Sequence, residues 1–109
     1  PVGDRVIQNV TQAIHDTVRK DDFSGRLGGE EFAVLLPQVT LQQALQVAEH
    51  IRQNVETTIT PLETGTVCVT VSIGVTSMYG NDKNSIQIAA DQALYSAKNS
   101  GRNRVCHND

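Results

Sequence analysis

Arg26-Leu27-Gly28-Gly29-Glu30-Glu31-Phe32-Ala33-Val34-Leu35-Leu36-Pro37 sets two acids beside a glycine pair at the mouth of an apolar run. Phe23 to Leu27 and Glu30 to Leu36 read as two strands joined at Gly28-Gly29, with Pro37 ending the second, so the stretch predicts a hairpin. Glycines at a tight turn let main chain approach a ligand with no Cβ in the way. Acids on the strand just beyond can hold a hard cation such as Mg²⁺. The same letters also fit a plainer description, a common hairpin turn flanked by solvated acids.

Working outward, Val6, Ile7, Val10, Ala13, Ile14 and Val18 recur at three and four, which predicts a helix from Asp4 to about Lys20 with one buried face. After the hairpin, Thr40 and Gln43 form a capping box. Leu41, Ala44, Leu45, Val47, Ala48, Ile51 and Val55 then continue a second helix that ends before Pro61. Val67, Val69, Val71, Ile73 and Val75 alternate with smaller or polar residues, predicting one β-branched strand from Val67 to Thr76. A polar turn over Gly80 to Asn84 leads to a third helix through Ile86, Ile88, Ala89, Ala93, Leu94 and Ala97, capped by Gly101. A short strand, Arg104 to Cys106, follows. The order α-β-β-α-β-α-β fits an α+β layer fold, with helices packed on an antiparallel sheet.

The 109 residues make one domain with a modest core, and no linker or repeat divides them. A net charge of -3 argues against a general binder of nucleic acid or anionic membrane, and no apolar run approaches spanning length. No signal peptide opens the chain. Cys68 and Cys106 lack metal-ligand spacing. The strand pattern around Cys68 predicts a small buried thiol, and a reducing cytoplasm fits. His15, His50 and His107 form no ligand set and read as surface residues.

The five letters Gly28, Gly29, Glu30, Glu31 and Phe32 resemble the motif of the GGDEF family, the diguanylate cyclase domains of bacteria, whose third position holds Asp or Glu. The resemblance extends through Gly3-Asp4, Arg19 to Asp22, Val69 to Val75, Ala90 to Lys98 and Gly101-Arg102-Asn103, and so covers essentially the whole chain. It implies a ferredoxin-like palm related to that of adenylyl cyclases. In the family a first strand, bearing a metal-binding Asp and followed by Phe-Lys-x-x-Asn-Asp, precedes the helix that begins here at Asp4. By this resemblance residues 1–109 look like a partial GGDEF domain lacking that strand.

The resemblance implies condensation of two GTP into cyclic di-GMP, a reaction that needs positioning and charge neutralisation more than covalent chemistry. Glu30 is the catalytic acid and ligand of Mg²⁺, with Glu31 beside it in a supporting or ion-pairing role, since adjacent strand residues point to opposite faces. Gly28 and Gly29 let main chain approach the phosphates. Asp4 matches the acid that reads the guanine edge, and equally suits the N-terminal turn of a helix. Lys98 and Arg102 match the cations for the terminal phosphates, and also read as ordinary cations near a helix C-terminus.

Arg19-Lys20-Asp21-Asp22 matches the Arg-x-x-Asp inhibitory site for the product. Arg can stack on guanine or fork to it while Asp accepts its N–H groups; the alternative is a solvated helix end with a weak local ion pair. His50 stands where the family often supplies a further Arg, with Arg52 nearby, which predicts weaker or pH-dependent product binding. The implied partners are GTP, cyclic di-GMP and a second copy of the chain, with sensory or receiver domains outside this segment. The implied location is cytoplasmic. A rival from another class is a non-catalytic GGDEF domain acting as a cyclic di-GMP receptor or interaction module.

Overall fold

Phe23 and Leu35 stand opposite one another at the open end of an antiparallel pair formed by β1 (Phe23–Gly28) and β2 (Glu31–Leu35). The register continues through Gly25 opposite Ala33 and Arg26 opposite Phe32, then shifts at Leu27 so that Gly28 faces Glu31. A bulge therefore sits one residue before the tip, where it sharpens the local twist. The computed structural model describes residues 2–20, 22–28, 31–76 and 83–108. Of the predicted Gly28-Gly29 turn, Gly28 belongs to β1 instead, and Gly29, with Glu30, lies outside the described residues.

Phe32 and Val34 turn one face of β2 onto the core, while Ala33 and Leu35 on the other face are exposed. That core is built by α1 (Val2–Thr17) and α2 (Leu41–Glu56), through Val10, Ile14, Ile51 and Val55. Each such side chain, fully buried, stabilises the fold by about 1.5–3 kcal/mol. Val69, Val71 and Ile73 pack against the same cluster. The helices are joined above the core by a relay in which Asn54 donates to Thr17 Oγ1 at 2.7 Å and Thr17 donates to the Ala13 carbonyl at 2.7 Å.

The capping box forms as its letters predict. Gln43 N–H donates to Thr40 Oγ1 at 3.1 Å, and Thr40 N–H donates to Gln43 Oε1 at 2.9 Å, satisfying two N-terminal amides of α2 reciprocally.

The single strand expected over Val67 to Thr76 is broken. Its first residue ends β4 (Gly65–Val67), which forms a small antiparallel hairpin with β3 (Thr60–Leu62), and its last four form β5 (Ile73–Thr76). Between them, residues 68–72 belong to no strand, because no ladder partner runs beside them among the described residues. Their alternation survives without the ladder, with Val69 and Val71 half-buried and Cys68 and Thr70 exposed. Cys68 is thus an exposed thiol, not a buried one: it occupies the opposite phase of the alternation from the valines that reach the core.

β5 pairs with β6 (Val105–Asn108) in parallel, Ile73 opposite Val105 through Thr76 opposite Asn108, with α3 (Lys83–Asn99) as the crossover. The α+β class holds, but this pair departs from the expected antiparallel arrangement, because a helix between two strands returns the chain to the same end of the sheet. Among the described side chains of α3, Ala93 and Ala97, one turn apart, are buried. Gly74 lets the helix backbone come close. A Cβ there would collide with the main chain of Ala90 and Leu94. Gly80, Asn81 and Asp82 of the expected Gly80 to Asn84 turn lie outside the described residues, and Lys83 already begins α3.

Candidate functional site

Apart from Asp4 and His50, the candidate residues fall in three places, set by the ends of helices and the tip of the hairpin. At the tip, the register brings Gly28 and Glu31 opposite each other at the last rung of the β1–β2 ladder. Gly29 and Glu30 lie outside the described residues. Among those that are described, no three His, Cys, Asp or Glu side chains gather in a way that could hold a metal ion.

The second place is the turn after α1. Arg19 and Asp22 close on each other: Arg19 Nη2 and Nε donate to Asp22 Oδ1 at 2.7 and 3.2 Å, Nε also reaches Oδ2 at 3.1 Å, and the Arg19 main-chain N–H donates to Oδ2 at 2.6 Å. Arg19 Nη2 further donates to the Pro37 carbonyl at 3.1 Å, tying the turn to the end of β2. The two partners differ in exposure. The Asp22 side chain is fully covered, while that of Arg19 is 52% exposed. The guanidinium fork holds the Asp22 carboxyl below the usual carboxylate range, against the opposing effect of desolvation. His15 and Phe23 line the shallow groove beside the pair.

Asp4 is exposed in the first turn of α1, at the far end from Arg19. A helix of 16 residues is roughly 24 Å long. The structure therefore separates the candidate base-reading acid from the candidate inhibitory pair by the length of α1. His50 does not join that pair in lining its groove; it lines another, along α2, with Leu41, Leu45 and Gln53.

The third place is the end of α3. Lys98 is exposed in its last turn, and the helix closes as Gly101 predicts: Gly101 takes φ 131°, and Arg102 N–H returns to the Ala97 carbonyl at 3.0 Å in a Schellman-type closure. Arg102 and Asn103 follow at φ 57° and 45°. The Arg102 side chain is exposed.

Sequence reasoning missed the group that touches this turn. Arg52, read only as a neighbour of His50, forks to Glu49 at 2.6 and 2.7 Å and donates to Asn103 Oδ1 at 2.9 Å and to Glu56 at 3.4 Å. The fork lowers the Glu49 carboxyl and raises the Arg52 guanidinium, each against some desolvation. Only the i,i+3 and i,i+4 spacing of Glu49, Arg52 and Glu56 was visible in the letters.

The family model for the diguanylate cyclase GGDEF domain matches residues 1–104. The chain belongs to the GGDEF family. This GGDEF chain is 45% identical over 113 residues to the probable diguanylate cyclase DgcT of Escherichia coli, covering 100% of itself and 25% of that protein. Among solved structures it is similar to the diguanylate cyclase SiaD of Pseudomonas aeruginosa, in complex with its activator SiaC: TM-score 0.90, 40% identity, over 96% of this chain and 41% of that one. It is also similar to the active GGEEF domain of a Vibrio cholerae diguanylate cyclase, at TM-score 0.88 and 33% identity, over 99% and 69% of the two chains. The chain spans 31%, 25% and 23% of the length of the first curated relatives that it matches. Among the described residues, no helix is long and apolar enough to cross a membrane.

Proposed function

We propose that this GGDEF chain is the catalytic domain of a diguanylate cyclase that condenses two GTP into cyclic di-GMP, acting as a homodimer in which each subunit presents one nucleotide to the other. The observation that carries the reading is the ladder that ends on Gly28 opposite Glu31, in a chain whose family match runs through the motif. Each 3′-hydroxyl oxygen forms a bond to the α-phosphorus of the facing GTP as the α–β phosphoanhydride breaks. Two pyrophosphates leave for each cyclic product.

In this reading Glu30 accepts the hydroxyl proton, and Gly28 and Gly29 let main chain lie against the phosphates without a side chain intervening. Mg²⁺, held by Glu30 and phosphate oxygens, would neutralise the charge of the phosphoryl groups. Glu31 supports the tip. Asp4 accepts from the guanine edge, and Lys98 and Arg102 hold the terminal phosphates. Arg19 and Asp22 form the product site, with Arg19 as the exposed group that meets the ligand first and Asp22 engaging once the fork opens.

Incubating the full-length protein with GTP and Mg²⁺ tests the reading. The expected result is cyclic di-GMP with two pyrophosphates released per product. A folded full-length protein that binds cyclic di-GMP but consumes no GTP would overturn the enzyme in favour of a receptor.

A further inference from the structure

The turn between α3 and β6 is held in a conformation that its own residues do not favour. Arg102 and Asn103 lie in succession at φ 57° and 45°, the left-handed region that side chains bearing a Cβ avoid. Asparagine enters it more readily than arginine. A pair of such residues persists when surrounding structure over-determines it.

That surrounding structure is on α2. Arg52 lies 51 residues before Asn103 in sequence and donates to its Oδ1 at 2.9 Å, and the Asn103 amide in turn donates to the Glu56 carboxylate. Glu56 also accepts from Arg52 Nη1 at 3.4 Å, so the three side chains close a ring. Both ends of the Asn103 amide are used, which leaves it one orientation. The Arg52 side chain is 15% exposed, and its fork to Glu49 fixes the guanidinium plane. On the main-chain side, the Arg102 N–H is held by Ala97 O and the Arg102 carbonyl accepts from Arg104 Nε at 3.2 Å. The network grips the backbone around Arg102 and the residue after it. The Arg102 side chain itself stays exposed.

We infer that Arg52, acting through Asn103 and Glu56, is a positioning residue that fixes the direction in which Arg102 presents its guanidinium to the polyphosphate of a nucleoside triphosphate. The inference rests on the reading of Arg102 as a phosphate ligand. A guanidinium forks to two phosphate oxygens only when its stem approaches from a set direction. A turn that left the left-handed region would re-aim the Arg102 Cβ and lose that approach.

A double-mutant cycle in the full-length protein decides it. Arg102→Ala and Arg52→Gln are each expected to raise the half-saturating GTP concentration at least about fivefold, with kcat changed less, and the double variant to match Arg102→Ala alone. A double variant showing the product of the two effects would overturn the positioning role, since a general structural role adds independently. Hydrogen exchange of the peptide spanning residues 99–104 is the second readout. It is expected to quicken by roughly tenfold or more in Arg52→Gln while the first turns of α3 keep their protection. Unchanged exchange with a normal Arg102 effect removes the anchor; unchanged GTP dependence in Arg102→Ala removes the phosphate reading, and the inference with it.

Discussion

Two arginines of this chain each fork to a carboxylate three residues away, and they do opposite things. Arg19 reaches forward to Asp22 across a turn; the acid's side chain is fully covered while that of Arg19 remains half exposed. Arg52 reaches back to Glu49 along α2, and there the arginine is the sheltered partner while Glu49 and Glu56 are each 42% exposed. The first pair keeps its cation half exposed beside a groove while also tying the turn to the Pro37 carbonyl. The second spends its cation on the fold, bridging α2 to the turn after α3. The difference lies in what surrounds the pair, since the local ion-pair chemistry is the same.

The comparison breaks if the two arginines behave alike toward ligand. Arg19→Ala and Asp22→Ala in the full-length protein should each weaken cyclic di-GMP binding at least tenfold, about 1.4 kcal/mol, without removing basal synthesis. Titration calorimetry gives the answer directly. Unchanged affinity in both variants would leave the fork as an ordinary local ion pair.

It sharpens if they differ in stability. Arg52→Gln should lower the melting temperature more than Arg19→Ala, because it frees the Asn103 anchor and removes the cation that stands one turn from each of Glu49 and Glu56. Removing Arg19 instead opens Asp22 to water, with the main-chain N–H of residue 19 still available to it. Equal melting temperatures would remove the distinction.

The smallest effect expected is on pH dependence. The Asp22 carboxyl is held below its ordinary value of 3.8 in the folded state, so its contribution is fully present above that value and is lost as pH falls through the lowered one. The melting-temperature difference between wild type and Asp22→Asn should stay constant from neutral pH down to about 5 and shrink below about 4. A difference that shrinks instead between pH 6 and 8 would point to a histidine.

What the letters made legible follows the same divide between near and far. The capping box at Thr40 and Gln43 and the Gly101 closure are each set by residues a few positions apart and formed as read, as did the antiparallel pairing of β1 with β2. The Arg19–Asp22 ion pair was legible for that reason too. Arg52 and Asn103 meet across 51 positions, and neither letter carries a sign of the other. The β3–β4 hairpin was hidden by Pro61, read as a terminator, although a residue without an N–H is tolerated in a short edge pair. Gly74 looked like one more strand residue. Its reason is the backbone of α3 pressed against it, and Gly74→Ala should accordingly destabilise the fold by about 1–3 kcal/mol.

The central claim is that the hairpin tip carries the chemistry, and Glu30→Gln in the full-length protein tests it most directly. The amide keeps the volume and removes the charge that would hold Mg²⁺ and take the proton. Cyclic di-GMP formation from GTP, measured beside a thermal melt, should fall to background while the melting temperature stays at the wild-type value. Near-wild-type turnover by the folded variant would contradict the account.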